Sequence, residues 1–92
     1  MQVSFFATLR EIVGGKTFDV ALPEGATVRD LAEQLSERWP ELREELFTED
    51  GALSRRVGVY VDGRNVRWLP DGDATVLAEH QSIAVIPPAA GG

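Results

Sequence analysis

The group best placed for chemistry in this chain is the carboxylate at its carboxyl end. The final run is Pro87-Pro88-Ala89-Ala90-Gly91-Gly92, and no charged side chain occurs from Gln81 onward. The two prolines disfavour helix and favour an extended chain, and the glycines lack a Cβ that would widen it. Such a run is thin enough to enter a narrow channel with Gly92 leading. An ordinary frayed terminus is the alternative interpretation.

A free carboxylate is a poor electrophile at neutral pH, because its leaving group would be oxide. Adenylation by ATP would convert the Gly92 carboxylate into a mixed anhydride that a sulfur or amine nucleophile can attack. The rest of the sequence supplies no machinery for this, since it has no cysteine, one isolated histidine (His80) and no phosphate-binding loop. We therefore predict a carrier and substrate rather than an enzyme, with Gly91 as a slim approach to the partner's active site. We expect it to bind no cofactor or metal of its own, the ATP being used by the partner.

Length, composition and charge restrict the class of protein further. The 92 residues suffice for one domain with a single core, and 43% hydrophobic and 26% charged residues are ordinary for a globular protein. The net charge is −6, and eight acidic residues against two arginines lie between Asp30 and Asp50. Such a chain should repel nucleic acid, whereas a basic protein partner would suit it. We predict no membrane span and no signal peptide, and hence a cytoplasmic location.

Alternating residues predict the strands that position the terminus. The alternation marks four strands, at 3–8, 17–22, 57–61 and 82–86. The first two are predicted to pair as a hairpin. Asp62-Gly63 is a strong hairpin signal, and it predicts a return strand through Val66 and Trp68. The last strand runs directly into the tail.

Helical spacing predicts one main helix. Its apolar positions are Val28, Leu31, Leu35 and Trp39. Thr27 and Asp30 have the spacing of a capping box at its start. Pro40 ends the helix and begins a short second one, and residues 9–13 form a helical turn closed by Gly14-Gly15.

Together these elements predict an α+β fold, in which one helix covers one face of a mixed four- to five-stranded sheet. The other face of such a sheet can be open to solvent. If the alternating valines and Phe5 face the helix, then Phe6, Tyr60 and Ile86 face outward. Three large apolar side chains there predict a docking patch beside the tail, although scattered exposed hydrophobic residues are also normal.

The last strand and the tail together resemble the ubiquitin-like β-grasp sulfur carriers. That family includes the small subunit of molybdopterin synthase, the thiamine-pathway carrier and a carrier used in cysteine synthesis. Residues 5–14 and the Pro-Pro-x-x-Gly-Gly ending are similar to the molybdopterin synthase small subunit. Residues 57–67 are similar to the cysteine-pathway carrier and to archaeal small modifier proteins. The resemblance covers essentially the whole chain and implies a β-grasp domain over 1–86 and an extended tail over 87–92.

The resemblance also implies a reaction and its partners. An ATP-dependent, E1-like adenylating enzyme would activate Gly92, and a sulfur donor would then supply the sulfur of a thiocarboxylate. The partner-binding surface that we expect consists of Phe6, Tyr60, Ile86, Pro87 and Pro88, of which the resemblance implies Phe6 and Ile86. The leading acceptor is the large subunit of molybdopterin synthase, with this chain as the small non-catalytic subunit. Cysteine synthesis and tRNA thiolation are the alternative destinations of the sulfur.

Two other functions remain open at this point. One is a protein modifier whose Gly92 forms isopeptide bonds with lysines, which lysine-linked conjugates in a cell extract would reveal. The other is a β-grasp binding module with an inert tail. For that module, removal of Gly91-Gly92 would change nothing, whereas substitution of Phe6 or Tyr60 would impair binding.

Overall fold

The computed structural model describes residues 1–88, in which strands and short helices alternate. The strands are β1 (Gln2–Phe5), β2 (Thr17–Asp19), β3 (Gly58–Val61), β4 (Arg64–Asn65) and β5 (Ser82–Ile86). The helices are α1 (Leu9–Val13), α2 (Val28–Arg38) and α3 (Arg43–Leu46), with 3₁₀ turns at Pro40–Leu42, Val66–Trp68 and Gly72–Ala74. No helix among these residues is long and apolar enough to cross a bilayer.

Within residues 1–88 the strands form one five-stranded sheet in the order β2-β1-β5-β3-β4. β1 and β5 are parallel, and the other neighbouring strands are antiparallel. The sheet is therefore mixed, and α2 packs on one face of it. This confirms the predicted β-grasp architecture, in which the last strand lies at the centre of the sheet.

The core lies between the sheet and α2, and it follows the predicted alternation. The inward residues of the strands are almost inaccessible to solvent: Val3, Phe5, Val59, Val61, Ile83 and Val85. They meet Val28, Leu31 and Leu35 of α2, which are 1–2% exposed. Burial of these side chains is the main force that holds the helix on the sheet.

Local sequence chemistry sets the ends of the helices. The Thr27 side chain accepts a hydrogen bond from the backbone N–H of Asp30, and the Asp30 carboxylate accepts one from the N–H of Thr27, which completes the predicted capping box. Gly14 ends α1 in the left-handed conformation, with φ of 76°. Pro40 ends the run after α2, as predicted.

The return strand predicted through Val66 and Trp68 is wrong. β4 ends at Asn65, whose side-chain oxygen accepts a hydrogen bond from the backbone N–H of Arg67 and starts a 3₁₀ turn. Val66 then turns into the core while Trp68 is 80% exposed. The hairpin turn itself is as predicted, since Asp62 and Gly63 both have positive φ. β1 and β2 are also shorter than predicted, since they end at Phe5 and Asp19 rather than at Thr8 and Leu22.

Candidate functional site

The tail begins at the centre of the sheet. β5 lies between β1 and β3, with Val85 opposite Phe5 on one side and Ile86 opposite Gly58 on the other. Pro87 and Pro88 follow at once, and a proline cannot donate a ladder hydrogen bond. The chain therefore leaves the sheet where two neighbouring strands support it. The predicted reacting residues Gly91 and Gly92 lie outside the described residues.

Two of the predicted partner-binding residues flank this point. Phe6 follows the Phe5–Val85 pair and donates its backbone N–H to the Val85 carbonyl, at 3.2 Å. It therefore lies beside Ile86, and the two side chains are each 37% exposed. The Arg10 guanidinium covers the Phe6 ring, at 5.2 Å from the ring centroid, and donates to the Phe5 carbonyl at 2.9 Å. Phe6 and Ile86 thus form an apolar pair beside the base of the tail.

Tyr60, the third outward residue, is only partly exposed. Its ring folds over Gly58, so a Cβ placed on Gly58 would lie 2.7 Å from Cε1 of the ring. The glycine therefore leaves room for the ring, which lies over the residue paired with Ile86.

The ring of Tyr60 forms one wall of a groove that runs beside the base of the tail. The lining residues of this groove, which we call the arginine groove, are Arg55, Arg56, Gly58, Tyr60, Asn65, Arg67, Ile86, Pro87 and Pro88. Its volume is about 210 Å³. The lining combines three cationic arginines with the tyrosine, isoleucine and prolines, which are apolar or aromatic. None of these described lining residues is acidic.

Hydrogen bonds fix the backbone around these arginines and the side chain of Arg67. Arg67 donates from Nη2 to the Arg55 carbonyl at 2.9 Å, and its own backbone N–H is held by Asn65. The backbone N–H of Arg56 donates to the Ser54 hydroxyl at 3.2 Å. The loop before β3 and the turn after β4 are thereby tied together.

Asp50 has a shifted pKa, but it lies outside the arginine groove. The pKa of the Asp50 carboxyl is lowered, mainly by a hydrogen bond from the Thr48 hydroxyl. Asp50 lies in the loop between α3 and β3, outside the arginine groove. Within residues 1–88, no three acidic or histidine side chains cluster in a way that could hold a metal ion.

A mixed sheet with its last strand at the centre and one main helix on one face is the architecture of the ubiquitin-like β-grasp proteins. The ThiS family model matches residues 3–92, which is nearly the whole chain. The chain belongs to the ThiS family, whose members are ubiquitin-like sulfur carriers and modifiers.

Individual relatives agree with this assignment. The chain is 39% identical to small archaeal modifier protein 3 of Haloferax volcanii over 92 residues, covering all of this chain and 98% of the relative. The crystal structure of SAMP1 from the same organism superposes with a TM-score of 0.85 at 28% identity, covering 99% of this chain and 97% of the other. A chain in the crystal structure of the Amycolatopsis orientalis BexX/CysO complex gives 0.80 at 28% identity, covering 99% and 98%.

The arginine groove was not predicted from the sequence. The adjacent pair Arg55-Arg56 in an acidic chain was the available signal. It could not indicate Arg67 or the base of the tail as neighbours, because these are brought together only by the pairing of β3 with both β4 and β5.

Proposed function

We propose that this protein is a sulfur carrier that works through the carboxylate of Gly92. The observation that carries the proposal is the extent of the family match, which continues through residue 92 and so includes the terminal Gly91-Gly92. The position of β5 supports it, because a tail that leaves from the centre of a rigid sheet is presented at a defined place.

The reaction has two steps, and both need a partner. A carboxylate oxygen of Gly92 attacks the α-phosphorus of ATP bound by an E1-like enzyme, which forms the acyl adenylate and releases pyrophosphate. The sulfur of a sulfide-level donor, such as the sulfide used in the test below, then attacks the acyl carbon and displaces AMP, and loss of the S–H proton leaves a thiocarboxylate on Gly92. The slim Gly91 lets the terminus reach the reacting atoms. The partner-binding surface consists of Phe6, Tyr60, Ile86, Pro87 and Pro88.

The pathway that we expect to receive the sulfur is molybdopterin synthesis. In that pathway this chain would be the small subunit of molybdopterin synthase, beside the catalytic large subunit. That expectation rests on the likeness of residues 5–14 and of the Pro-Pro-x-x-Gly-Gly ending. Cysteine synthesis and tRNA thiolation use the same carrier chemistry and differ only in the acceptor. The structural likeness to a chain of the BexX/CysO complex supports presentation of the tail to a partner enzyme.

A second candidate function is protein modification. The 39% identity to a small archaeal modifier protein favours it. The same adenylate of Gly92 would be attacked by a lysine amine, which forms an isopeptide bond. Activation is common to both functions, and the nucleophile distinguishes them.

The test is the intact mass of the purified protein after incubation with ATP, sulfide and a cell extract from its source. We expect a mass increase equal to replacement of one oxygen by sulfur, located at Gly92 by fragmentation. Gly92→Ala is the matched variant: it should fold as the wild type and be converted far more slowly, because its Cβ widens the tip of the tail.

Two results of this experiment would contradict the carrier function. Lysine-linked products without any oxygen-to-sulfur shift would replace the carrier with the modifier. No change of either kind, in an extract that converts a known carrier, would contradict both and favour a binding module with an inert tail.

A further inference from the structure

The charges of this protein are distributed unevenly over its surface. The chain has a net charge of −6, and the segment from Asp30 to Asp50, with eight acidic residues and two arginines, accounts for all of it. Three of its nine basic residues nevertheless line the arginine groove, which is formed beside the base of the tail. The local charge there is opposite to that of the whole molecule.

The arginines of the groove differ from those on the helices in their contacts, since Arg10 and Arg38 lie over aromatic rings. Arg29 and Arg43 both form ion pairs with Glu33. Within residues 1–88, no carboxylate lies within ion-pairing distance of Arg55, Arg56 or Arg67, and all three residues are exposed. Three neighbouring cations without a compensating anion repel one another, and an anionic partner would relieve that repulsion.

The form of the groove indicates the chemistry of its ligand. Arginine guanidinium groups match carboxylates in a bidentate geometry, and the bond from Arg67 to the Arg55 carbonyl reduces the freedom that Arg67 would lose on binding. The same lining includes Tyr60, Ile86 and the prolines, which are apolar or aromatic. A ligand with both carboxylates and carbon chains matches this lining, whereas an inorganic anion would leave the apolar residues without contacts.

We propose that the arginine groove binds an acidic polypeptide segment of the partner that receives the tail. This rests on the proposed function for the identity of the partner, because the groove shares Ile86, Pro87 and Pro88 with the base of the tail. A segment in the groove would hold the partner beside the exit of the tail and orient Gly92 toward its active site. Nucleic acid is disfavoured as the occupant by the acidic charge of the rest of the chain.

The test uses the full-length protein labelled with ¹⁵N and a synthetic peptide of alternating glutamate and alanine. The same peptide with glutamine in place of glutamate is the neutral control, and inorganic phosphate is the rival ligand. We expect the Nε–H signals of Arg55, Arg56 and Arg67 to shift saturably with the acidic peptide, and not with the neutral peptide or with phosphate. Added salt should weaken the binding of the acidic peptide.

Two variants test whether the groove carries this binding. The double variant Arg55→Glu/Arg56→Glu should weaken peptide binding about tenfold or more. The pair Lys16→Glu/Arg38→Glu makes the same change in net charge at exposed positions outside the groove and should retain most of the affinity. Equal losses in the two double variants would show that overall charge, and not the groove, attracts the peptide, which would overturn the proposal.

Three further results would overturn it. Phosphate that shifts the same signals at the same concentration would make the groove a simple anion site. Shifts that depend on protein concentration without peptide would make a second copy of this chain the occupant. Absence of saturable shifts would remove the site altogether.

The mass experiment with cell extract separates this proposal from the carrier function. If the wild type gains sulfur, and Arg55→Glu/Arg56→Glu gains it as fast as Lys16→Glu/Arg38→Glu, the groove has no role while the carrier function stands. If the wild type gains no sulfur, the carrier function fails, and the peptide titration still decides whether the groove binds acidic segments.

Discussion

Gly58 and Tyr60 show how one small residue shapes the surface at the base of the tail. The absence of a Cβ at Gly58 leaves room for the Tyr60 ring, because a Cβ there would lie 2.7 Å from Cε1 of the ring. The ring consequently lies over Gly58, and it lines the arginine groove. Alternation predicted correctly that Tyr60 belongs to the outer face, but it could not predict that the ring folds back over its neighbour.

Gly58→Ala should therefore displace the Tyr60 ring and lower the free energy of unfolding by about 1 kcal/mol, the lower end of the cost of overpacking. Denaturant unfolding measures the loss. The control is a double-mutant cycle with Tyr60→Ala, in which the cost of Gly58→Ala should largely vanish because the clashing atom is gone. An equal cost in both backgrounds would assign it to the backbone of β3 instead.

At the scale of elements, α2 is held on the sheet by apolar side chains, and its start is fixed by the capping box. Leu35 is 2% exposed and lies in the core cluster with Phe5, Val59 and Val85. The helical spacing and the strand alternation each predicted their own half of this contact, because both periodicities follow from local backbone geometry.

Leu35→Ala should lower the free energy of unfolding by about 2–4 kcal/mol, through lost burial and the cavity that remains. Such a loss is large for a domain of this size, whose total stability is on the order of 5–10 kcal/mol. Val76→Ala is the matched control, since Val76 is 60% exposed and its truncation should cost less than about 0.5 kcal/mol. Similar losses at the two positions in chemical denaturation would contradict the packing described for α2.

At the scale of the whole molecule, folding and the proposed chemistry occupy different parts of the chain. The buried residues of the core all lie between Val3 and Val85 among the residues described. The carboxylate that we propose to react is seven residues beyond Val85, at Gly92. A change at the tip of the tail should thus act on function without acting on stability.

A chain ending at Pro88 should unfold at the same temperature and denaturant midpoint as the full-length protein. It should also gain no sulfur in the extract with ATP and sulfide, because the glycine carboxylate is absent. The two measurements are made on the same preparation. A lower midpoint would mean that the last four residues contribute to the fold, and unchanged sulfur transfer would exclude Gly92 as the carrier group.

Much of this protein could be predicted from the order of its residues. The alternation predicted β1, β3 and β5, the spacing of Val28, Leu31 and Leu35 predicted α2, and Asp62-Gly63 predicted the hairpin. The wrong prediction of a strand through Trp68 also has a local cause. The Asn65 side-chain oxygen accepts a hydrogen bond from the Arg67 backbone N–H, and a 3₁₀ turn forms in place of the strand. Competition between a side-chain oxygen and the strand ladder for one N–H is not visible in a hydrophobic pattern.

The sequence by itself predicted the Gly-Gly tail and its role, because both depend on the identity of a few adjacent residues, and the role of Gly92 stays a prediction. It also determined which strand residues face the core, since alternation is a property of each strand alone. Only the tertiary structure decided that Arg55, Arg56 and Arg67 line one groove with Ile86 and the prolines. That contact joins segments far apart in the chain, and it depends on the register with which β3 pairs with β4 and β5. Register is set by the packing of the whole sheet, which no single segment encodes.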